Sequence, residues 1–359
     1  MNSEVDDVVG GTAAEELPSQ AYELKLLSLS DFVQRPTVSI LVRRIVPARA
    51  FIVVFGPPKG GKTFSVCDLT MHGAHGMDWH GCAVKRRLKV VYLAGEGVSG
   101  LRVRLKAWLE THDNIEEPGD FRILPLAISL PERASQLIET LRPMAPDIIV
   151  TDTLNAYFGG GDENSTQDMS VFCAAVRLLQ EELGCTVIVI HHTGHGDSGR
   201  ERGSIVLRAS ADVLVQVAKD EAAGELVGFQ VIAARDLEPM QEPIPLRLVR
   251  HPTEWRDDDG EPLVTCVVQP AHQPVTLPGR GGQPLGTAQA TVLKAAQELA
   301  KAATPDRSGE VLLARHEIAE MAKERGVGKT AIANCWQRME ARGYWRRVEP
   351  GSIAMRVRS

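Results

Sequence analysis

Three short stretches of this chain carry the residue types that phosphate chemistry needs. GPPKGGKT, residues 56–63, satisfies the spacing G-x-x-x-x-G-K-[ST] in full. Its glycines let the backbone curl so that successive N–H groups face phosphate oxygens. A helix starting there adds a favourable dipole. Lys62 is spaced to reach the β- and γ-phosphates, and Thr63 to offer its hydroxyl to Mg²⁺. The expected nucleotide-binding segment is Gly56, Pro57, Pro58, Lys59, Gly60, Gly61, Lys62, Thr63 and Phe64, with ATP and Mg²⁺ as cofactors. The alternative is a glycine-rich strand–helix turn with no ligand. DIIVTD (147–152) ends an apolar run in Asp152, where a carboxylate is costly without a partner. Beside a phosphate loop that partner is Mg²⁺; otherwise Asp152 caps the next helix. YLAGEG ends in Glu96. On a strand beside the phosphate-loop strand, such an acid orients and deprotonates an attacking water; otherwise it is an ordinary loop acid.

The stretch VIVIHHTGHGDSGRERGS (187–204) is harder to read. His191 and His192 close a β-branched run, and Arg200 and Arg202 follow. A metal site would need further ligands; His195 is available, but no Cys or acid stands nearby at zinc-like spacing. A phosphate sensor needs one imidazole facing the ligand. A strand-capping histidine needs neither. Arg202 reads either as a charge that reaches a neighbouring subunit's phosphate site or as a solvated loop residue.

These residues require elements that bring them together. FIVVF (51–55), KVVYL (89–93), DIIVTD (147–152) and TVIVIHH (186–192) are short β-branched runs separated by helical patterns such as FSVCDLTMHGAH and MSVFCAAVRLLQEEL. That alternation predicts an α/β domain with a mostly parallel sheet. DVLVQVA (212–218) and GFQVIAA (228–234) predict a hairpin at its edge. Residues 1–25 read as a mobile polar tail, 26–268 as the ATPase domain, and 269–286, rich in Pro and Gly, as a linker. Residues 287–359 read as a small winged helix-turn-helix domain: helix, helix, turn, helix, then two strands around Pro350-Gly351.

Charge supports that division. The whole chain carries −6, but residues 285–359 hold 13 Lys+Arg against 8 Asp+Glu. A basic module on an acidic body suggests a polyanionic partner. Lys329 and Thr330 would open the recognition helix, Arg338 and Arg342 lie further along it, and Arg346 and Arg347 enter the wing. They are the expected DNA contacts, on duplex or single strands; a protein-docking role is the alternative. Six cysteines without a C-x-x-C pair argue against a zinc ribbon. No apolar run has membrane-spanning length, so a cytoplasmic protein with reduced thiols and no membrane contact is expected.

The ordered set GPPKGGKT, the Glu of YLAGEG, the DT of VTDT, and HH followed by RGS resembles the RecA-like ATPases of the plasmid replicative helicase RepA group, whose core many phage ATPases share. The resemblance covers about Leu41 to Arg235. It implies a RecA-like P-loop NTPase fold and a hexameric ring working with other replication proteins. It also implies roles: Lys62 and Thr63 on phosphate and Mg²⁺, Glu96 as catalytic base, Asp152 as the Walker B acid, His192 or His191 as γ-phosphate sensor, and Arg202 as arginine finger. In a parallel sheet the strand ends all point toward the ligand, and side chains alternate, so one of the two imidazoles should face the site and the other pack away. The functional expectation is a helicase-like ATPase of phage or plasmid replication. A regulator or loader, switched by ATP but without motor activity, competes with it. A small-molecule kinase shares the P-loop but not the HH and RGS arrangement.

Overall fold

In the computed structural model, which describes residues 26–34, 39–112, 115–192, 202–220, 224–275, 277, 287–304, 306, 310–341, 344–349 and 351–356, the apolar runs become strands where their composition puts them. Residues 1–37 form one unit. Its described element is α1 (Leu29–Val33), capped by Ser28, whose hydroxyl accepts from the Asp31 amide. The expected tail, 1–25, lies outside the described residues.

The second unit begins with β1 (Ile40–Val42) and β2 (Val46–Pro47), an antiparallel pair. Then come β3 (Phe51–Gly56), α2 (Lys62–His75), β4 (Val90–Ala94), α3 (Val98–Thr111), β5 (Phe121–Leu124) and α4 (Leu130–Leu141). They are followed by β6 (Ile148–Asp152), α5 (Leu154–Tyr157), α6 (Thr166–Leu183), β7 (Thr186–His192) and α7 (Arg202–Ser210). The last strands of the body are β8 (Val213–Lys219), β9 (Leu226–Ala234), β10 (Ile244–Arg256) and β11 (Pro262–Pro270).

These strands, β1 and β2 apart, make one sheet in the order β11-β10-β9-β8-β3-β7-β6-β4-β5. From β8 to β5 every neighbour is parallel; β9, β10 and β11 add on antiparallel. The central strands are continuous apolar runs rich in β-branched residues because both faces are covered. Ile52 and Val54 of β3 pack into one apolar cluster with Val66 and Leu69 of α2. Phe51, Val53 and Phe55 pack into the other with Phe172 and Val176 of α6 and Leu207 of α7. Period-two alternation thus splits one continuous run between two layers.

Two expectations are corrected. The β8–β9 hairpin is real but not an edge, because β10 and β11 extend the sheet beyond it. Those strands escaped notice because prolines and charges interrupt them, and their pairing is what makes them strands. The segment 269–286 begins inside β11, where Gln269 pairs with Arg247 and Pro270 with Leu246; Val275 is buried as well. Residues 159–168 form an ordered turn into the next helix. Asp168 accepts from the Asp162 amide at 3.0 Å, Asp162 accepts from the Asn164 amide at 2.9 Å, and α6 has already begun at Thr166.

The C-terminal elements are α8 (Thr287–Ala302), β12 (Glu310–Ala314), α9 (Arg315–Glu324), α10 (Lys329–Ala341), β13 (Arg346–Glu349) and β14 (Ser352–Arg356). The three strands form an antiparallel sheet in the order β12-β14-β13. Val292, Ala296, Ile318, Ile332, Met339, Trp345 and Ile353 make a core of their own. Strand β12 was not expected from the sequence; EVLLA is too short to be distinguished from the start of the following helix by pattern alone.

Candidate functional site

Strand β3 delivers the chain to Gly56 at the carboxyl end of the sheet, and α2 starts six residues later. Gly56 has to be glycine: a Cβ there would stand 1.9 Å from the Val217 carbonyl oxygen of the neighbouring β8. Gly61, the N-cap of α2, has φ +96°, a left-handed conformation that costs other residues more. The loop therefore curls back on itself, and Lys62 enters its hollow.

Lys62 is only 3% exposed. Its ammonium donates to the Gly56 carbonyl at 2.9 Å, to the Pro57 carbonyl at 2.9 Å and to His192 Nδ1 at 2.8 Å. Since the ammonium can only donate, Nδ1 is the acceptor and the His192 ring proton sits on Nε2. Burial lowers the Lys62 pKa to about 8, and the nearby Asp152 carboxylate only partly offsets it. The same burial, with Lys62 beside it, lowers the pKa of His192. His191 points the other way and is pushed down to about 4, first by burial and then by His192, Lys62 and Arg208. One imidazole faces the loop lysine and the other packs away, as alternation along β7 requires.

Asp152 ends β6, 6% exposed. Tyr92 of β4 donates to Oδ2 at 2.7 Å and Thr63 to Oδ1 at 3.3 Å. Burial nevertheless raises the carboxyl above its usual range, with Glu96 adding to the effect. A carboxylate held so expensively, with a threonine hydroxyl against it, is the hard-oxygen pair that Mg²⁺ takes alongside water. The donor set and the curled loop both fit Mg-ATP. Glu96 follows β4 and is exposed; its Oε1 accepts from Thr153 Oγ1 at 3.1 Å, which holds it one residue from Asp152. It does not ride on a strand beside β3, as expected; β7 and β6 stand between.

Two contributors have little or no signature in the sequence. Tyr92 reads as one more apolar strand residue, yet its hydroxyl fixes Asp152. Arg104, on α3, lies over the Phe64 ring at 4.6 Å and its charge pulls the Asp152 pKa down. Nothing in the spacing of α3 singles it out.

The remaining candidates fare differently. His195 and Arg200 lie outside the described residues, and among the described residues no group of three or more His, Cys, Asp or Glu is placed to hold a metal ion. Arg202 is the first residue of α7 and not part of a loop. Lys329 and Thr330 are exposed on the first turn of α10, which also carries Arg338. Arg342 lies outside the described residues. Arg346 and Arg347 are on β13, and Arg346 Nη2 donates to the Glu310 carboxylate at 2.5 Å.

The AAA domain family matches residues 18–198, half of the chain, and the match spans the P-loop, Glu96, Asp152 and both strand-end histidines. Among solved structures the chain is similar to a KaiC-like protein from the hyperthermophilic archaeon Pyrococcus horikoshii OT3, with 15% identity over 64% of this chain and 94% of that one, and a TM-score of 0.42. No curated protein matches it.

Proposed function

The chain belongs to the AAA domain family, and from that premise we propose that it is a RecA-like P-loop ATPase that couples Mg-dependent ATP hydrolysis to work on DNA, as a helicase-like ATPase of phage or plasmid replication. The observation that carries the hydrolytic part is the 2.8 Å bond between Lys62 and His192. It ties the phosphate-binding lysine to the end of a second strand, while Asp152 and Glu96 arrive from a third and fourth.

The cofactor supplies a phosphoanhydride bond and a divalent charge. The protein's own residues do the rest. Lys62 presents a positive charge in a hollow that excludes water, where it counts for more than at the surface. Thr63 and Asp152 hold the metal. Glu96, exposed and bonded among the described residues through Oε1, positions and deprotonates water. His192 reads the state of the site through Lys62, and Arg202, opening α7, completes the site of a neighbouring subunit in a ring.

The DNA part of the proposal is supported by the basic balance of residues 285–359 and by the order of the C-terminal elements, which suits a winged helix-turn-helix with the N-terminus of α10 exposed for a groove. The independent core of this module also favours a second reading, an ATP-switched regulator or loader that recognises a duplex site without translocating.

The test is ATP hydrolysis by wild type and Arg202→Ala over a range of protein concentrations, with single-stranded and duplex DNA. A motor gives a rate per chain that rises with concentration and with single strands, and Arg202→Ala removes that rise while ATP still binds. A flat rate, a normal mutant and tight binding to one duplex sequence would instead establish the regulator.

A further inference from the structure

Helix α10 packs one face into the C-terminal core and turns the other outward. Ile332, Cys335 and Met339 are buried at the spacing of a single helical stripe, with Trp336 half-buried beside them. Thr330 and Asn334 are exposed one turn apart on the side facing away from that stripe, with Ala333 next to them and Lys329 exposed at the helix start.

What the free face carries separates α10 from the helix before it. The exposed positions of α9 are His316, Glu317, Glu320, Lys323 and Glu324, an acid-rich set. Helix α10 contains no Asp or Glu from Lys329 to Met339. Thr and Asn are poor helix formers, so on an exposed face they do nothing for the helix itself. Nor does the face suit a protein partner. A helix that docks on protein presents apolar anchors at i, i+3, i+4 and i+7, whereas positions 330, 333 and 334 hold Thr, Ala and Asn. The exposed large apolar side chains described in this module, Leu312 and Val348, stand on β12 and β13 instead. Short polar side chains without a carboxylate let a helix approach a polyanion closely.

The cations of the module divide in the same sense. Arg346 donates through Nε to Glu310 at 3.1 Å, Lys323 is paired with Glu320 at 2.6 Å, and Arg325 is paired with Glu298. Lys329 takes part in none of the ion pairs formed among the described residues, so its charge at the start of α10 faces solvent uncompensated.

We propose that this face of α10 lies in the major groove of duplex DNA and that Asn334 determines base specificity there. A carboxamide sets one acceptor beside one donor, which matches adenine N6 and N7. Thr330 and Ala333 bring a hydroxyl and methyl groups to neighbouring base edges, and Lys329 takes a phosphate. The inference rests on the DNA part of the function proposed above and names the residue that reads the sequence.

Selection by the full chain from a pool of duplexes with a randomised centre tests it, followed by fluorescence anisotropy on the selected site and its single-base-pair variants. Wild type selects a site with one A·T pair whose replacement weakens binding about tenfold or more. Asn334→Ala loses that discrimination and keeps the wild-type salt dependence. Its melting temperature does not fall, because the side chain is exposed and Ala favours the helix. Lys329→Ala weakens binding to every duplex alike and lowers the slope of log K against log salt by about one. Binding without a common sequence, or an adenine preference that Asn334→Ala retains, overturns the proposal and leaves the DNA reading standing. Unchanged duplex affinity in both variants also overturns it, because the DNA contacts then lie elsewhere and α10 is free for protein. Binding to no duplex at all overturns the DNA reading and this inference together.

Discussion

Lys62 shows how far surroundings can change one residue. Buried, with all three donors used, its amine loses its proton near pH 8 instead of near 10.5. Phosphate oxygens favour the ammonium, so bound nucleotide should raise that value again. The sign follows: below about pH 8 both states are protonated and this group adds no pH dependence, whereas above it binding takes up a proton and affinity falls, by up to about tenfold per pH unit. Calorimetric titration of ATP near pH 9 in two buffers of different ionisation enthalpy should report that uptake, and titration near pH 7 should not. Glu96→Gln, an isosteric change at an exposed side chain, should leave ATP affinity in place and lower kcat by about 10²–10⁴ if the carboxylate acts as base. A rate within a few-fold of wild type would remove Glu96 from that role.

At the scale of elements, close approaches hold the site in shape. Strands β3 and β8 pass so tightly at Gly56 that Gly56→Ala must displace the Val217 carbonyl. The expected cost is about 1–3 kcal/mol, with ATP binding lost as the loop moves, measurable by denaturant melts and titration of one variant. Helices α2 and α3 are joined by the buried Asp68, which accepts from Trp108. Trp108→Phe keeps most of the packing but removes one donor from the carboxylate, for an expected loss of about 1–3 kcal/mol. The same network has a pH signature. His72, beside the Asp68 carboxylate, is raised in the folded state, so its contribution is complete below its unfolded pKa and is lost as pH rises through the folded one. The Tm difference between wild type and His72→Gln should therefore narrow as the pH is raised from about 6.5, the ordinary histidine value.

At the scale of the whole chain, the apolar clusters divide the work. Two flank the large sheet and a third belongs to the C-terminal elements alone. The ATPase body should therefore fold without that module, provided the cut falls after Leu277, since Val275 is buried and Leu277 lies against Gly228. A chain ending at residue 285 should keep its ATP affinity and melt cooperatively, but lose DNA binding if the C-terminal arginines provide it. Ending the chain at 268, the boundary read from composition, should expose part of the sheet edge and reduce solubility. No helix among the described residues is long and apolar enough to cross a membrane.

The phosphate loop was legible because its chemistry is local: eight consecutive residues contain the glycines, the lysine and the threonine, and no distant contact is needed to recognise them. Asp152, Glu96 and the histidine pair were legible as strand ends, because buried parallel strands announce themselves by composition and expose polar residues only where they stop. The neighbours of each strand were another matter. That β7, and not β4, lies beside β3, so that His192 meets Lys62, depends on pairing such as Phe51 with Val187, and on a side-chain contact between residues 130 positions apart. The added strands β10 and β11, the hydroxyl of Tyr92 under Asp152, and Arg104 over Phe64 are likewise products of long-range packing. Periodicity specifies which face of an element is buried; it says nothing of what is buried against it, and only the tertiary structure settled that.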